Sequence, residues 1–237
     1  MMSMEAFMVG KGVTKTFGSG DTLVVAVDHM DFEIAHGELV VILGQSGAGK
    51  STLLNLIGGM DFVSEGELLV EGDDIAKYNK KQLTLYRRTK IGFVFQFYNL
   101  MANLTARENV EIAIEMSKDA LKPEEALDAV GLGERMDHFP AQLSGGEQQR
   151  VSIARAIAKN PDLILCDEPT GALDYQTGKE VLALLQAQAH EKGKTVVIVT
   201  HNAALADMAD HLLRIRGGKI VADTRNEHPK DVNDIEW

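Results

Sequence analysis

The 237-residue sequence predicts an α/β fold in which a parallel sheet carries an inserted, mainly helical stretch. Three observations point to it. Short, almost uninterrupted apolar runs recur at 39–43, 91–95, 163–166 and 196–199, the pattern of strands covered on both faces. Helical patterns alternate with these runs, as layered α/β domains require. Between about 99 and 157 the helical pattern continues with no strand inside it.

Taken in order, residues 6–43 read as strands. Met30, Phe32 and Ile34 alternate with Asp31 and Glu33, the two-residue period of a half-buried strand. His36-Gly37 marks a turn before the run at 39–43. A glycine-rich loop follows at 44–49, then a helix at 51–57 stopped by Gly58-Gly59. A β-like stretch at 67–70 leads into a polar region that ends at Lys90. Within the helical stretch, Thr105-Ala-Arg-Glu108 has capping-box spacing. Pro123 with Glu124 and Glu125 reads as a first helical turn, closed by Gly131. An amphipathic helix near 179–191 separates the last two apolar runs. Residues 212–216 and 219–222, joined by Gly217-Gly218, read as a hairpin. The segment 223–237 is polar and acidic apart from Trp237, and is expected to be loosely held.

Composition narrows the function. With 24 basic against 35 acidic residues the net charge is -11, which argues against a generally basic surface for duplex DNA or anionic lipid; no nucleic-acid partner is expected. The one cysteine, Cys166, excludes an internal disulfide and suits a reducing compartment. No apolar run approaches the ~18–20 residues of a membrane span. The opening Met-Met-Ser-Met-Glu lacks the features of a signal peptide, so a soluble, intracellular chain is expected.

Chemistry concentrates in three places. Gly44-Gln-Ser-Gly-Ala-Gly49-Lys50-Ser51 satisfies G-x-x-x-x-G-K-[ST], with a buried strand before it and a helix after it. Glycines let the backbone turn its N–H groups toward phosphates, and the helix N-terminus adds partial positive charge. Lys50 is placed to neutralise β and γ phosphates, and the Ser51 hydroxyl to hold Mg²⁺. Leu163-Ile-Leu-Cys166-Asp167-Glu168 is an apolar strand ending in two carboxylates. Alone these could be solvated turn residues; beside a phosphate loop they suit a Mg²⁺ ligand, Asp167, and a base that orients water, Glu168. Leu143-Ser144-Gly145-Gly146-Glu147 opens a helix. Ser144 and Glu147 make a capping box, while Ser144 and the two glycines also suit an anion site.

With that motif the chain resembles the ATP-binding-cassette (ABC) family, whose signature is Leu-Ser-Gly-Gly-Gln/Glu. Further family motifs follow in order: Gln96 matches the Q-loop glutamine, Gly171-Ala-Leu-Asp174 the D-loop, and His201 the switch histidine. Phe17 is placed like the aromatic that stacks on adenine, though a ring in an N-terminal strand could equally pack in the core. Tyr175 stands where many relatives carry a small residue.

The resemblance implies a P-loop NTPase (RecA-like) core with an N-terminal antiparallel β subdomain and an inserted α-helical subdomain. It spans residues 6–222 as a single domain, with the helical subdomain at about 97–157 and a polar tail at 223–237. It implies an ATPase with ATP and Mg²⁺ as cofactors. Nucleotide contacts would come from Phe17, Gly44, Gln45, Ser46, Gly47, Ala48, Gly49, Lys50, Ser51 and Thr52. Ser51, Gln96 and Asp167 would hold the metal, and Glu168, His201 and Gln96 would be catalytic. Ser144, Gly145 and Gly146 would meet the γ phosphate from a second copy of the chain, so a dimer is implied.

A chromosome or DNA-repair ATPase would need a long coiled coil between Lys50 and Gln96, and a translation factor would need two cassettes; neither is present. That leaves the ATPase subunit of a transporter or other mechanically coupled membrane complex. Ile91-Gly-Phe-Val-Phe-Gln96, Asn103-Leu-Thr-Ala-Arg-Glu-Asn-Val110 and Asp167-Glu-Pro-Thr-Gly-Ala-Leu-Asp174 look like the branch of lipoprotein-releasing, macrolide- and antimicrobial-peptide-exporting, and cell-division ATPases. The alternatives are the ATPase subunit of an amino-acid-type ABC importer or a non-transport cell-division ABC ATPase. The implied partner is a transmembrane permease, contacted through 97–110, where Phe97, Tyr98, Leu100 and Met101 are apolar and could equally be core. The implied location is the cytoplasmic face of the cell membrane, peripheral through the permease.

Overall fold

The computed structural model describes residues 6–117 and 119–236. Met1 to Glu5 and Trp237, which entered the sequence reading, lie outside the described residues. Two sheets form the frame. Strands β1 (Ala6–Phe17), β2 (Val24–Ala35), β4 (Glu65–Val70) and β5 (Asp73–Asp74) make an antiparallel sheet in the order β2-β1-β4-β5. Strands β3 (Leu39–Leu43), β6 (Ile91–Phe95), β7 (Leu163–Asp167), β8 (Thr195–Thr200), β9 (His211–Arg216) and β10 (Lys219–Arg225) make the second. Its order is β10-β9-β3-β8-β7-β6, parallel except for the β9-β10 hairpin.

The central strands carry unbroken apolar runs because both faces are covered. Val40, Ile42, Leu163, Leu165, Val197 and Val199 face one core, shared with helix α1 (Lys50–Ile57) and the antiparallel sheet. The alternate residues Leu39, Val41, Ile164, Cys166, Val196 and Ile198 face a second core. That core holds residues of α3 (Ala106–Ile114), α4 (Pro123–Ala129), α5 (Gly145–Ile157) and α6 (Tyr175–His190). A period-2 strand between two apolar layers therefore reads as a continuous apolar run.

The helical stretch differs from expectation at its start. Residues 97–105 are not helical, and Tyr98 and Asn99 have φ of 58° and 50°. Their carbonyls accept hydrogen bonds from Arg155 of α5 at 2.8 and 2.6 Å, which holds this left-handed backbone in place. Thr105 then caps α3 in the expected capping box. The polar region before Lys90 contains a further helix, α2 (Lys80–Thr89), capped by Asn79. It presents only Leu83 and Tyr86 to the core, too few for an apolar period to register in sequence.

The segment expected to be loose is docked. Strand β10 continues to Arg225, and Val232 and Ile235 are 1% and 3% exposed, in the same core as Leu182 and Leu185 of α6. Isolated apolar residues in a polar run suffice to anchor a segment whose main chain does the rest. Among the described residues, no helix is long and apolar enough to cross a membrane.

Candidate active site

The chain turns from β3 into α1 through the glycine-rich loop. Gly49 caps α1 at φ 103°, and a Cβ there would lie 2.3 Å from the Ala26 carbonyl oxygen. Only glycine takes that backbone and that approach. Lys50, 7% exposed, folds back under the loop, its Nζ donating to the carbonyls of Gly44 at 2.8 Å and Gln45 at 3.0 Å.

Strand β7 delivers the carboxylates to the same place. Ser51 Oγ donates to Asp167 Oδ1 at 3.1 Å. Burial, with the Glu168 charge adding to it, holds the Asp167 carboxyl above its usual range despite the Ser51 hydrogen bond. Glu168 follows at φ 47°, a conformation that is costly for a non-glycine residue and turns its side chain out of the strand end. Its Oε2 accepts from Thr200 Oγ1 at 3.1 Å, and its Oε1 lies 2.8 Å from His201 Nδ1. Cys166 sits fully buried in the strand, and burial pushes its thiol pKa up, so it is an inert core residue.

These groups line one cleft of about 910 Å³. Gly44, Gln45, Ser46, Gly47, Gly49, Lys50, Ser51, Thr52, Gln96, Asp167, Glu168 and His201 all contribute to its wall. Ala48 does not; its side chain is 7% exposed and packs into the core beneath the loop. Ala26, Ala203 and Arg214 also line the cleft, and no motif announced them. They arrive by backbone approach: Ala26 lies against Gly49, and Arg214 pairs in register with Leu43.

Phe17 is also outside the cleft wall. The core-packing alternative does not hold, because its ring is 45% exposed, with Lys15 Nζ 5.0 Å from the centroid. Lys15 is in turn held by Asp61 Oδ1 at 2.7 Å and the Phe62 carbonyl at 2.8 Å.

Ser144, Gly145 and Gly146 do not line the cleft. Ser144 caps α5 in a complete capping box: its amide donates to Glu147 Oε2 at 2.8 Å, and the Glu147 amide donates to Ser144 Oγ at 3.2 Å. A Cβ on Gly146 would meet Thr177 Cγ2 of α6 at 2.1 Å, so this glycine lets the two helix N-termini touch. The helix N-terminus at Ser144 thus lies outside the cleft that the glycine-rich loop lines.

Residues 27–171 match the family described as ABC transporter. An uncharacterized ABC transporter ATP-binding protein of Thermotoga maritima is 46% identical over 222 residues, covering 92% of this chain and 94% of its own length. A macrolide export ATP-binding/permease protein MacB of Brucella melitensis is 46% identical over 220 residues; the match covers 90% of this chain but only 33% of that protein. Among solved structures, the ATP-binding cassette MJ0796, a dimer in a post-hydrolysis state bound to ADP and Pi, superposes with a TM-score of 0.84. It is 40% identical and covers 92% of this chain and 98% of its own. The chain belongs to the ABC transporter family and is one of its ATP-hydrolysing cassettes.

Proposed function

We propose that the chain binds Mg²⁺ and ATP in this cleft and, paired with a second copy, hydrolyses ATP to drive a membrane permease in export or in mechanical work outside the cytoplasm. One observation carries the reading: Lys50, Ser51, Gln96, Asp167, Glu168 and His201 share one cleft from which Ser144, Gly145 and Gly146 are absent. The missing helix N-terminus then comes from the second copy, whose partial positive charge faces the γ phosphate.

On binding, Lys50 exchanges its two carbonyl partners for the β and γ phosphates. The amides of the loop and of the α1 N-terminus surround the same oxygens. Ser51 Oγ and Asp167 Oδ1, with the Gln96 side chain nearby on the wall, are hard oxygen donors of the kind Mg²⁺ takes alongside substrate phosphates. The bound ion would supply charge neutralisation at the phosphates. Mg²⁺ held through so few carboxylates takes substrate phosphates as further ligands, so the nucleotide would complete its shell. Glu168 orients the attacking water and accepts its proton, while His201 and Thr200 fix the carboxylate. Phe17 offers an open ring face for the adenine, steadied by Lys15.

The permease contact would lie on 97–110. Phe97 and Met101 are 74% and 49% exposed there, on a loop tied to α5 by Arg155. Macrolide export relatives carry a permease in the same polypeptide, which supports a membrane partner and a place at the cytoplasmic face. The test is phosphate release from ATP at increasing protein concentration. A shared site makes activity per chain rise with concentration, and Lys50→Ala abolishes it at every concentration. Activity per chain that is independent of concentration contradicts the shared site.

A further inference from the structure

Two features without a role in the sequence reading meet in the structure: Tyr175, directly after the Asp174 cap of α6, and the segment 226–236. We infer that this segment is a strap fixing the Glu168 turn relative to the His201 turn, with Tyr175 as its positioning residue. The inference rests on reading Glu168 and His201 as a pair acting at the γ phosphate.

One end of the strap is tied to the turn after His201. Lys230 Nζ lies 2.8 Å from Asp207 Oδ2, and the Lys230 amide donates to the Asp207 carbonyl at 2.9 Å. Asp207 belongs to the short helical turn Ala203–Met208, which begins two residues after His201. The other end is tied to α6. The Tyr175 hydroxyl donates to the Ile235 carbonyl at 3.2 Å, and Lys179 Nζ to the Asn233 carbonyl at 2.9 Å. Lys179 Nζ also lies 5.1 Å from the Tyr175 ring centroid. Further along the helix, Gln186 donates to the Lys230 carbonyl at 2.9 Å and accepts from the Val232 amide at 3.1 Å. Tyr175, Lys179 and Gln186 all bind main-chain atoms of the strap. Only Val232 and Ile235 bury apolar side chains, so the sequence of the strap reads as a polar tail.

The N-terminus of α6 is where the site's other parts converge. The turn between Glu168 and Asp174 closes with the Gly171 amide on the Glu168 carbonyl and the Leu173 amide on the Thr170 carbonyl, both at 3.0 Å. Gly171 packs so closely on the Gln96 amide that a Cβ would lie 2.9 Å from its nitrogen. The buried Gln149 donates to the Pro169 carbonyl at 2.8 Å. A displacement of Tyr175 is thus passed to Glu168 and Gln96, while Asp207, in the turn that follows His201, is tied to the other end of the same strap. Catalytic geometry is sensitive to such displacements, because a positioned base works only within hydrogen-bond reach of its target.

The test is Tyr175→Phe in the full chain, with Lys230→Met as the second variant at the opposite end. Turnover of ATP, KM, thermal stability and amide exchange at Gly171 and Leu173 are measured together. The inference expects kcat to fall about fivefold in each variant with KM unchanged. It also expects the Gly171 and Leu173 amides to exchange faster in Tyr175→Phe. Unchanged turnover in a Tyr175→Phe protein, whatever its melting temperature, overturns the positioning role. So does lowered turnover with both amides exchanging as before. The exchange arm does not depend on catalysis, so it still decides the strap if Glu168→Gln proves fully active and the Glu168 reading fails instead.

Discussion

His201 Nδ1 lies 2.8 Å from Glu168 Oε1, although the residues follow different strands. Register produces the pair: β7 and β8 are parallel neighbours with Asp167 opposite Val199, so both strands end at the same level. The Glu168 amide donates to the Val199 carbonyl at 2.9 Å, which pins the junction. Among the described residues, His201→Ala leaves the Glu168 carboxylate with the Thr200 hydroxyl as its hydrogen-bond partner. Single-turnover phosphate release should slow about 100-fold, while the Kd for ATP measured by nucleotide fluorescence stays within about threefold.

Phe17 should matter for affinity and not for chemistry. Its ring is exposed beside Lys15, and the proposed adenine contact would use that ring. Phe17→Ala should raise the Kd for ATP about tenfold, and Phe17→Tyr, which keeps the ring, should bind like the parent. Equal affinities for all three would remove the ring from the site.

The signature glycine has a packing duty separate from any phosphate. Gly146→Ala forces a Cβ against Thr177 Cγ2. Overpacking of this kind should cost about 2 kcal/mol, seen as a fall in Tm of roughly 5 °C in nucleotide-free protein. The double variant with Thr177→Ser should recover most of that loss.

His211 links stability to pH. It is fully buried on β9, with Nε2 2.7 Å from Asp223 Oδ1 and Nδ1 3.5 Å from Glu38 Oε2, and Glu38 is paired in turn with Arg225. Burial opposes the charged imidazole, but the two carboxylates outweigh it, and the pKa lies above its ordinary value of 6.5. A raised folded-state pKa stabilises fully below about pH 6.5 and loses that contribution as pH rises through the raised value. His211→Gln should therefore lower Tm more at about pH 6 than at about pH 9. A loss of equal size at both would exclude the linkage.

The phosphate loop and the carboxylate strand were legible because their chemistry is local. Lys50 and Ser51 lie within one motif, and Asp167 and Glu168 end one apolar run. The core strands were legible because both faces of residues such as Val41 and Ile42 are buried. Helix α2 was not, since Leu83 and Tyr86 are its only buried residues. Nor was the docking of 226–236, where two scattered apolar residues suffice and the main chain makes the hydrogen bonds. Ala26 and Arg214 reach the cleft through sheet register and a glycine contact, which single-chain motifs do not encode.

The central claim is that two copies enclose ATP and that Glu168 releases them by hydrolysis. Its most direct test is Glu168→Gln, mixed with ATP and Mg²⁺ and measured by size-exclusion chromatography with light scattering. The variant should bind ATP, turn it over at least about 100-fold more slowly than the parent, and accumulate as a dimer that disperses when ATP is removed. A monomer with ATP bound, together with turnover equal to that of the parent, would contradict the account.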